Sequence, residues 1–517
     1  MSVKPGTLSP WQNQIGDYLT ARNILGIVVI FAVYVLSKVF YRLYLSPLSR
    51  IPGPKLAAAT NLYAFYHDVI RQGLYIWEVE KMHKQYGPIV RISPDEIHVN
   101  DPEYIDTLYG GPGKRRDKGQ RTINGLSASP TVLGSQQHDL HKSRRAAMGP
   151  FFSKQNVRRL EPTVVNVLRR MFNRLDQHNS AKKPINLNIL YRAATHDIVS
   201  EYAFGEDGVC FGREDLNQPY FQAYHEMVVT WHIGCYFPWI GHLMRRLPPW
   251  TSIKKIDQIK SSADFGDGTR TIFHGLLQSD LPEAEKSSSR LAEEAQNLLA
   301  AGTDSTANTL AALTYQLLTH PQILQKLRAE LQEAIPEGSL PIFSKIENLP
   351  YLSAVIQEGL RLHPAVSTRQ ERVAPDEDLF YTDEKNKKTY RIPAGTCFAM
   401  SPALLSRLPE VYLSPGEFRP ERFLEDPKLK RHQLTFSRGT RICLGINLAY
   451  QEMYMILAAL FRAYDGWDGT GKQKGLTLEL FETTRGDIEI ARDLVTENMK
   501  ADSQGVRVTV RGPVSEN

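Results

Sequence analysis

The sequence predicts a mainly α-helical domain with small β-sheets, preceded by a single N-terminal transmembrane helix. Three observations carry this. Apolar residues recur at helical spacing over long stretches, strand-like stretches are few and short, and one run near the N-terminus is both long and almost wholly apolar. With 517 residues, 42% of them hydrophobic, and a formal charge of +6, the composition is that of a globular chain with a large core. The sequence contains no Gly/Ser-rich or Pro-rich linker and no internal repeat. Its basic excess is spread along the chain, which argues against nucleic acid as a partner.

The apolar run covers residues 24–45 (ILGIVVIFAVYVLSKVFYRLYL), interrupted only by Ser37, Lys38 and Arg42. A helix of that length spans roughly 33 Å, about a bilayer core. Lys38 and Arg42 sit near its C-terminal end, where long side chains reach the interface. A cleaved signal peptide would begin nearer residue 1 and end in small residues, and this run does neither. Lys38 and Arg42 at its end and Arg50 and Lys55 beyond it stand against Lys4 and Arg22 before it. This bias puts the large C-terminal part in the cytosol. Ile51-Pro52-Gly53-Pro54 comes next, either a stiff turn fixing how the globular part leaves the membrane or an ordinary linker.

Further along, Leu291, Ala295, Leu298, Gly302, Thr306, Thr309, Leu313 and Leu317 fall at spacings of three and four. They form one face of a long helix ending near Thr319-His320-Pro321. Residues 446–464 (INLAYQEMYMILAALFRAY) read as a second, buried helix. Strands are expected at 89–92, 96–99, 390–392 and 506–510.

Four cysteines occur, Cys210, Cys235, Cys397 and Cys443, with no C-x-x-C pair. This argues against a zinc ribbon, an iron–sulfur run or a disulfide scaffold, and for a reducing compartment. Cys443 lies in FSRGTRICLG, residues 436–445, just before the second helix. A free thiol has a pKa near ~8.5, and a helix N-terminus lowers it by about one unit; metal coordination deprotonates it outright. Gly439 and Gly445 allow close approach of a flat ligand or a positive φ. Arg441 offers a fixed fork for a carboxylate, and Phe436 can shield the sulfur. Together they suggest a thiolate-ligated haem with an arginine on a propionate; a buried structural cysteine in a loop is the alternative.

Ala301-Gly302-Thr303-Asp304-Ser305-Thr306 is an unusual string inside a helix, since Gly alone costs ~1 kcal/mol against Ala. Either small residues let two helices touch there, or the helix passes over a haem and leaves room for O₂ and water. In the second case Asp304 relays protons and Ser305 or Thr306 orients them. Glu358 and Arg361 are one helical turn apart and can pair. His138 and His141 lack a third ligand and read as a polar helix face. The Gly110–Gly113 loop lacks the Lys-Ser/Thr that a phosphate cradle needs.

FSRGTRICLG resembles, position by position, the F-x-x-G-x-R-x-C-x-G loop of the cytochrome P-450 haem-thiolate enzymes. Other elements of that family follow in order. Glu358-Gly359-Leu360-Arg361 resembles its E-x-x-R, Phe418 to Phe423 (FRPERF) its PERF segment, and the 301–306 string its oxygen-binding groove. The resemblance implies a buried structural triad of Glu358, Arg361 and Arg422. It also implies Cys443 as the axial ligand of the haem iron, and Arg145, Arg372 and Arg441 on the propionates. Two departures stand out. The alcohol after the acid is Ser305 where the family usually has Thr, with Thr306 next. In the family's W-x-x-x-R helix, His141 replaces the Trp and Arg145 keeps the arginine. A surface charge is the other reading of Arg372.

The resemblance implies a microsomal monooxygenase. An NADPH–cytochrome P-450 reductase would supply electrons from NADPH through its flavins, and O₂ would be the oxidant of an apolar small molecule. Residues 1–23 would be a short lumenal segment, 24–45 the anchor in lipid of the endoplasmic reticulum membrane, and 46–517 the cytosolic catalytic domain. Stretches 47–66, 148–153 and 359–375 resemble filamentous-fungal enzymes of the trichodiene oxygenase type, which act on terpenoids and other secondary metabolites. A haem-thiolate isomerase or dehydratase, or a membrane haem protein without turnover, are the rival readings.

Overall fold

A computed structural model describes residues 21–111, 113–244, 250–261 and 271–512. Lys4, most of the expected 1–23 segment and Pro112 lie outside the described residues. The apolar run forms helix α1, Ala21–Phe40, continued by a wider turn over Tyr41–Leu45. The span long and apolar enough to cross a bilayer is Asn23–Leu45, one residue longer than the sequence reading. No described residue covers it: Ile30 is 71% and Leu36 68% exposed. An apolar helix left bare in this way is consistent with a membrane anchor.

Five further helices position the site: α2 His138–Met148, α3 Leu187–Phe204, α4 Ser288–Thr319, α5 Pro350–Leu362 and α6 Ile446–Ala463. The expected long helix is α4, ending at Thr319 because Pro321 cannot continue it. It runs through the main core against α3, and its Leu291, Ala295, Leu313 and Leu317 are fully buried. Helix α6 follows the cysteine loop and packs against α4 from below the same core.

The expected strands form as Ile89–Ser93, Glu96–Val99, Lys388–Ile392 and Arg507–Arg511. The largest sheet has five strands, ordered Ile89–Ser93, Glu96–Val99, Cys397–Ala399, Arg372–Val373 and Asp117–Lys118. Its last two strands are two residues long, too short for any periodicity to announce. Their antiparallel register sets Lys118 opposite Arg372. Like charges placed opposite in a ladder repel, so this edge of the sheet is electrostatically costly as it stands.

The triad forms and is buried. Arg361 Nε and Nη2 donate to Glu358 Oε2 and Oε1 at 2.8 and 2.7 Å. Arg422 Nε donates to Oε1 at 3.0 Å, and the Arg419 N–H adds a fourth donor to that carboxylate at 2.9 Å. Spare guanidinium hydrogens reach the carbonyls of Ser406, Leu413 and Pro415. One buried carboxylate thus ties α5 to the irregular segment that leads into the cysteine loop. Glu358→Gln should leave two arginines buried without a full counter-charge, costing about 3–5 kcal/mol. Urea denaturation would show this as a large drop in midpoint; an unchanged midpoint would contradict it.

Candidate functional site

The loop before α6 is held by its own backbone. The Cys443 N–H donates to the Phe436 carbonyl at 2.8 Å, closing the loop on itself. Residues Gly439–Arg441 make one tight turn. Gly439 has φ +66°, and a Cβ there would come within 2.2 Å of the Gly110 carbonyl and 2.3 Å of that of Tyr109, so only glycine fits. Gly445 has a negative φ, and a Cβ on it would meet open space, so no protein contact demands its small size. Its N–H bonds the Cys443 sulfur.

Cys443 is the one exposed cysteine, yet burial raises its thiol pKa. A side chain both accessible and deep in the chain faces an internal void, not the outer surface. The Gly445 N–H and the Arg145 guanidinium oppose the rise. Burial raises the other three thiols too, and each of them also has a carboxylate that pushes it further up, with Arg121 opposing at Cys235. Burial pushes Cys235 up to about 12, with Glu371 adding to it, and burial raises Cys210 and Cys397 with help from Asp197 and Glu371 respectively. Phe436 stands half-buried, 5.3 Å from the ring of Tyr450 on α6.

On α4, Ala301 is exposed in the middle of a buried helix and Ser305, one turn on, is half-buried. Thr303, Asp304 and Thr306 around them are buried. Ser289, Gln296 and Thr319 are exposed on the same helix, but Ala301 and Ser305 open among residues that belong to the main core, so they border a space inside it. The Ser305 hydroxyl donates to the Ala301 carbonyl at 2.7 Å. Thr306 turns away and hydrogen-bonds Glu452 of α6, a carboxyl that burial raises well above its usual range. A Cβ on Gly302 would come within 2.7 Å of Val199, so its size is set by the approach of α3. Asp304 accepts from Arg192 Nε of α3 at 2.6 Å, and Arg192 Nη2 donates to Asn308 at 3.3 Å.

Near the cysteine loop the chain buries an excess of positive charge. Arg441 donates to the carbonyls of Arg116, Ser135 and Gln136 at 3.0, 2.7 and 2.6 Å. Arg372, 6% exposed and so no surface charge, donates to the Glu371 carbonyl and to Ser437 Oγ at 2.8 and 2.9 Å. Lys118 donates to the Leu133 carbonyl. His138 and His141 are both buried, which corrects the expected polar face. His141 Nδ1 has no partner among the described residues. Burial, then Arg441, Arg145, Lys118 and Arg372, pull its pKa down to about 2, so the ring is neutral. Burial and Arg372 pull Arg441 down to about 9, and burial with Arg372 and Arg441 takes Lys118 far below its usual range. Arg145 is half-buried, and its side chain makes no hydrogen bond among the described residues.

Cations that depress one another in this way, beside an orphaned imidazole nitrogen, fit a ligand carrying carboxylates. A cysteine facing the same interior and a helix stripe with room before it complete the donor set for a haem. Sequence reading found Cys443, Arg441, Arg372, Arg145 and His141 but missed Lys118, which only a two-residue strand brings in. It also missed Arg192, which lies 112 residues from Asp304 and carries no local signal.

The family model described as "Cytochrome P450" matches residues 61–474. The chain is 40% identical over 491 residues to "Cytochrome P450 monooxygenase tpcC" of Cochliobolus heterostrophus, covering 91% of this chain and 94% of that one. It is 39% identical over 478 residues to "Cytochrome P450 monooxygenase astB" of Talaromyces wortmannii, with the same coverage. A "Fusicoccadiene C-8 hydroxylase" of Phomopsis amygdali is 34% identical over 518 residues, covering 94% and 96%.

Arg145 gives the sharpest test of the cation basin, because its side chain spends no hydrogen bond on the protein. Arg145→Gln should leave the haem-free chain as stable or more stable, since one repelling charge is gone. A charged hydrogen bond is worth about 1.5–3 kcal/mol, so haem should leave roughly tenfold faster or more. Transfer of haem to an acceptor globin measures the second effect. A haem-free chain that is weakened while haem retention is unchanged would contradict the reading.

Proposed function

The chain belongs to the cytochrome P450 family, and we propose that it is a membrane-anchored monooxygenase acting on an apolar, terpenoid-like molecule with electrons from an NADPH-dependent flavoprotein reductase. The oxidoreductase class and the haem-thiolate cofactor follow from the family itself. Bound haem supplies activation of molecular oxygen at its iron and transfer of one oxygen atom to the substrate.

The residues then divide the work. Cys443, deprotonated by coordination, would ligate the haem iron, with the Gly445 N–H and Arg145 holding its charge. Arg145, Arg372, Arg441 and the neutral His141, joined by Lys118, would bind the haem carboxylates, and Phe436 and Gly439 would wall and shape the loop. Asp304 is reached from solvent through Arg192, whose side chain is 20% exposed. It would pass protons to Ser305, whose hydroxyl stands on the open stripe of α4. Thr306 is committed to Glu452, so Ser305 is the relay alcohol in this reading.

The observation that carries the proposal is this pairing: an accessible hydroxyl beside a solvent-linked carboxylate on one helix, and a lone accessible cysteine in a closed loop. An isomerase or dehydratase would need no such proton supply. The activity of one relative, hydroxylation of fusicoccadiene, supports a hydrocarbon-like terpenoid as the substrate class. Residues 24–45 would anchor the chain in the endoplasmic reticulum membrane, with 1–23 lumenal and 46–517 cytosolic.

Reconstitution with reductase, NADPH and a panel of terpene hydrocarbons that includes fusicoccadiene tests this. Product should form with NADPH consumption in the wild type. Ser305→Ala and Asp304→Asn should lower product per NADPH by about 10²-fold and raise hydrogen peroxide release, while Thr306→Val changes coupling much less. Unchanged coupling in the first two variants, or collapse only in the third, would overturn the relay.

A further inference from the structure

Where the apolar helix ends, the chain does not swing free. Arg91, 2% exposed, donates through Nη1 to the Arg42 carbonyl at 2.8 Å and through Nη2 to Pro94 at 2.7 Å and Ser46 Oγ at 3.4 Å. Its own N–H donates to the Pro52 carbonyl at 2.7 Å. A Cβ on Gly53 would come within 2.5 Å of the Arg91 carbonyl, so the Pro-Gly-Pro turn lies flat on the first strand. Arg42 in turn donates to the Ala59 carbonyl at 2.8 Å. Leu48 and Ile51 are buried against that sheet. A guanidinium over the last carbonyls of a helix is also where the helix dipole favours positive charge.

This joint encloses a cleft of about 210 Å³, lined among others by Tyr44, Ser49, Arg50, Lys55 and Arg91. Arg50 and Lys55 are exposed and pair with no carboxylate among the described residues. The nearby acid, Asp95, sits 4.0 Å from Arg42 and is itself mostly exposed. Arg91 Nε is buried and lacks a partner among the described residues. The cleft therefore offers a surplus of cationic donors, and the arginine on its wall keeps one buried N–H unspent. It opens immediately past Leu45, where the apolar span ends and lipid phosphates would lie.

We propose that this cleft binds the phosphate headgroup of one anionic phospholipid, clamped between Arg50 and Lys55 over the Arg91 joint. The inference rests on the anchor reading given above. A lipid is favoured over a soluble phosphate because the site is at the depth of the headgroups and is continuous with the bare apolar face of α1. The bound lipid would cement the angle at which the catalytic domain leaves the bilayer. It would do so without touching the cysteine loop or α4.

The full-length holoenzyme in nanodiscs of phosphatidylcholine and phosphatidylserine at 4:1 (about one lipid in five anionic) provides the test. The protein is extracted gently and its retained lipids are counted by native mass spectrometry. Two cations at about 1 kcal/mol each correspond to a preference of roughly 30-fold for the anionic lipid. Arg50→Gln with Lys55→Gln should return the retained lipid to the bulk ratio and leave the haem spectrum unchanged. Arg91→Lys, which keeps the charge but cannot span Arg42 and Pro94 together, should lose part of the preference. The bulk ratio in the wild type, or a preference indifferent to the double variant, would overturn the proposal. Displacement by millimolar inorganic phosphate would overturn it in favour of a soluble anion. Failure of the wild type to enter discs at all would be a distinct result, sinking the anchor reading and this one with it.

Discussion

Lys118 faces Arg372 across a two-residue ladder, with Arg441, Arg145 and His141 around them, a cluster of cations that Glu371 and Asp117 oppose without restoring their usual pKa values. Burial and the neighbouring cations pull the pKa of Lys118 far below its usual range and that of Arg441 down to about 9, so keeping these groups together costs free energy. Folding keeps them together because rigid neighbours hold each one. Arg441 is pinned by carbonyls of the 116–136 segment, and Arg372 by its own sheet and by Ser437 of the cysteine loop. The same hydrogen bonds that hold the cations also fix the loop that carries Cys443. Binding of a dicarboxylate ligand and positioning of the sulfur are therefore one structural event.

From that constraint the rest of the architecture follows. The Glu358 carboxylate, saturated by Arg361, Arg422 and the Arg419 N–H, makes α5 and the irregular segment behind the loop a fixed base. Helix α6 continues from the loop and meets α4 through Glu452 and Thr306. That contact sets the rotation of α4, turning Thr306 inward and leaving Ala301 and Ser305 on the open side. The helix that follows the cysteine loop and the helix that carries Asp304 and Ser305 are thereby indexed to each other. Arg192, whose side chain is 20% exposed, gives Asp304 a charged partner near the edge of solvent.

Much of this was legible in the sequence, and the boundary is physical. The long helices announced themselves by spacing, and α4 and α6 end within a residue of where apolar periodicity and Pro321 place them. The cysteine loop was legible because Gly439, Arg441 and Cys443 have separate chemical reasons for fixed spacing. What could not be read was anything made by non-local pairing. The strands Asp117–Lys118 and Arg372–Val373 have no pattern of their own and exist because a neighbouring strand completes them. Arg372 could equally have been a surface charge, and the two histidines of α2 a solvated face, until the sheet edge buried them. The choice between Ser305 and Thr306 needed Glu452, a residue of another helix.

The account stands or falls on Cys443 as the thiolate ligand of a haem. The measurement that reaches it most directly is the absorption spectrum of the ferrous–CO complex, compared between the wild type, Cys443→His, and Ser replacements of Cys210, Cys235 and Cys397. A strongly red-shifted Soret band is expected in the wild type and in all three serine variants, with an ordinary imidazole-type band in Cys443→His. A red-shifted band that survives loss of Cys443, or that disappears when one of the other three is changed, would contradict the ligand assignment and the proton chemistry built upon it.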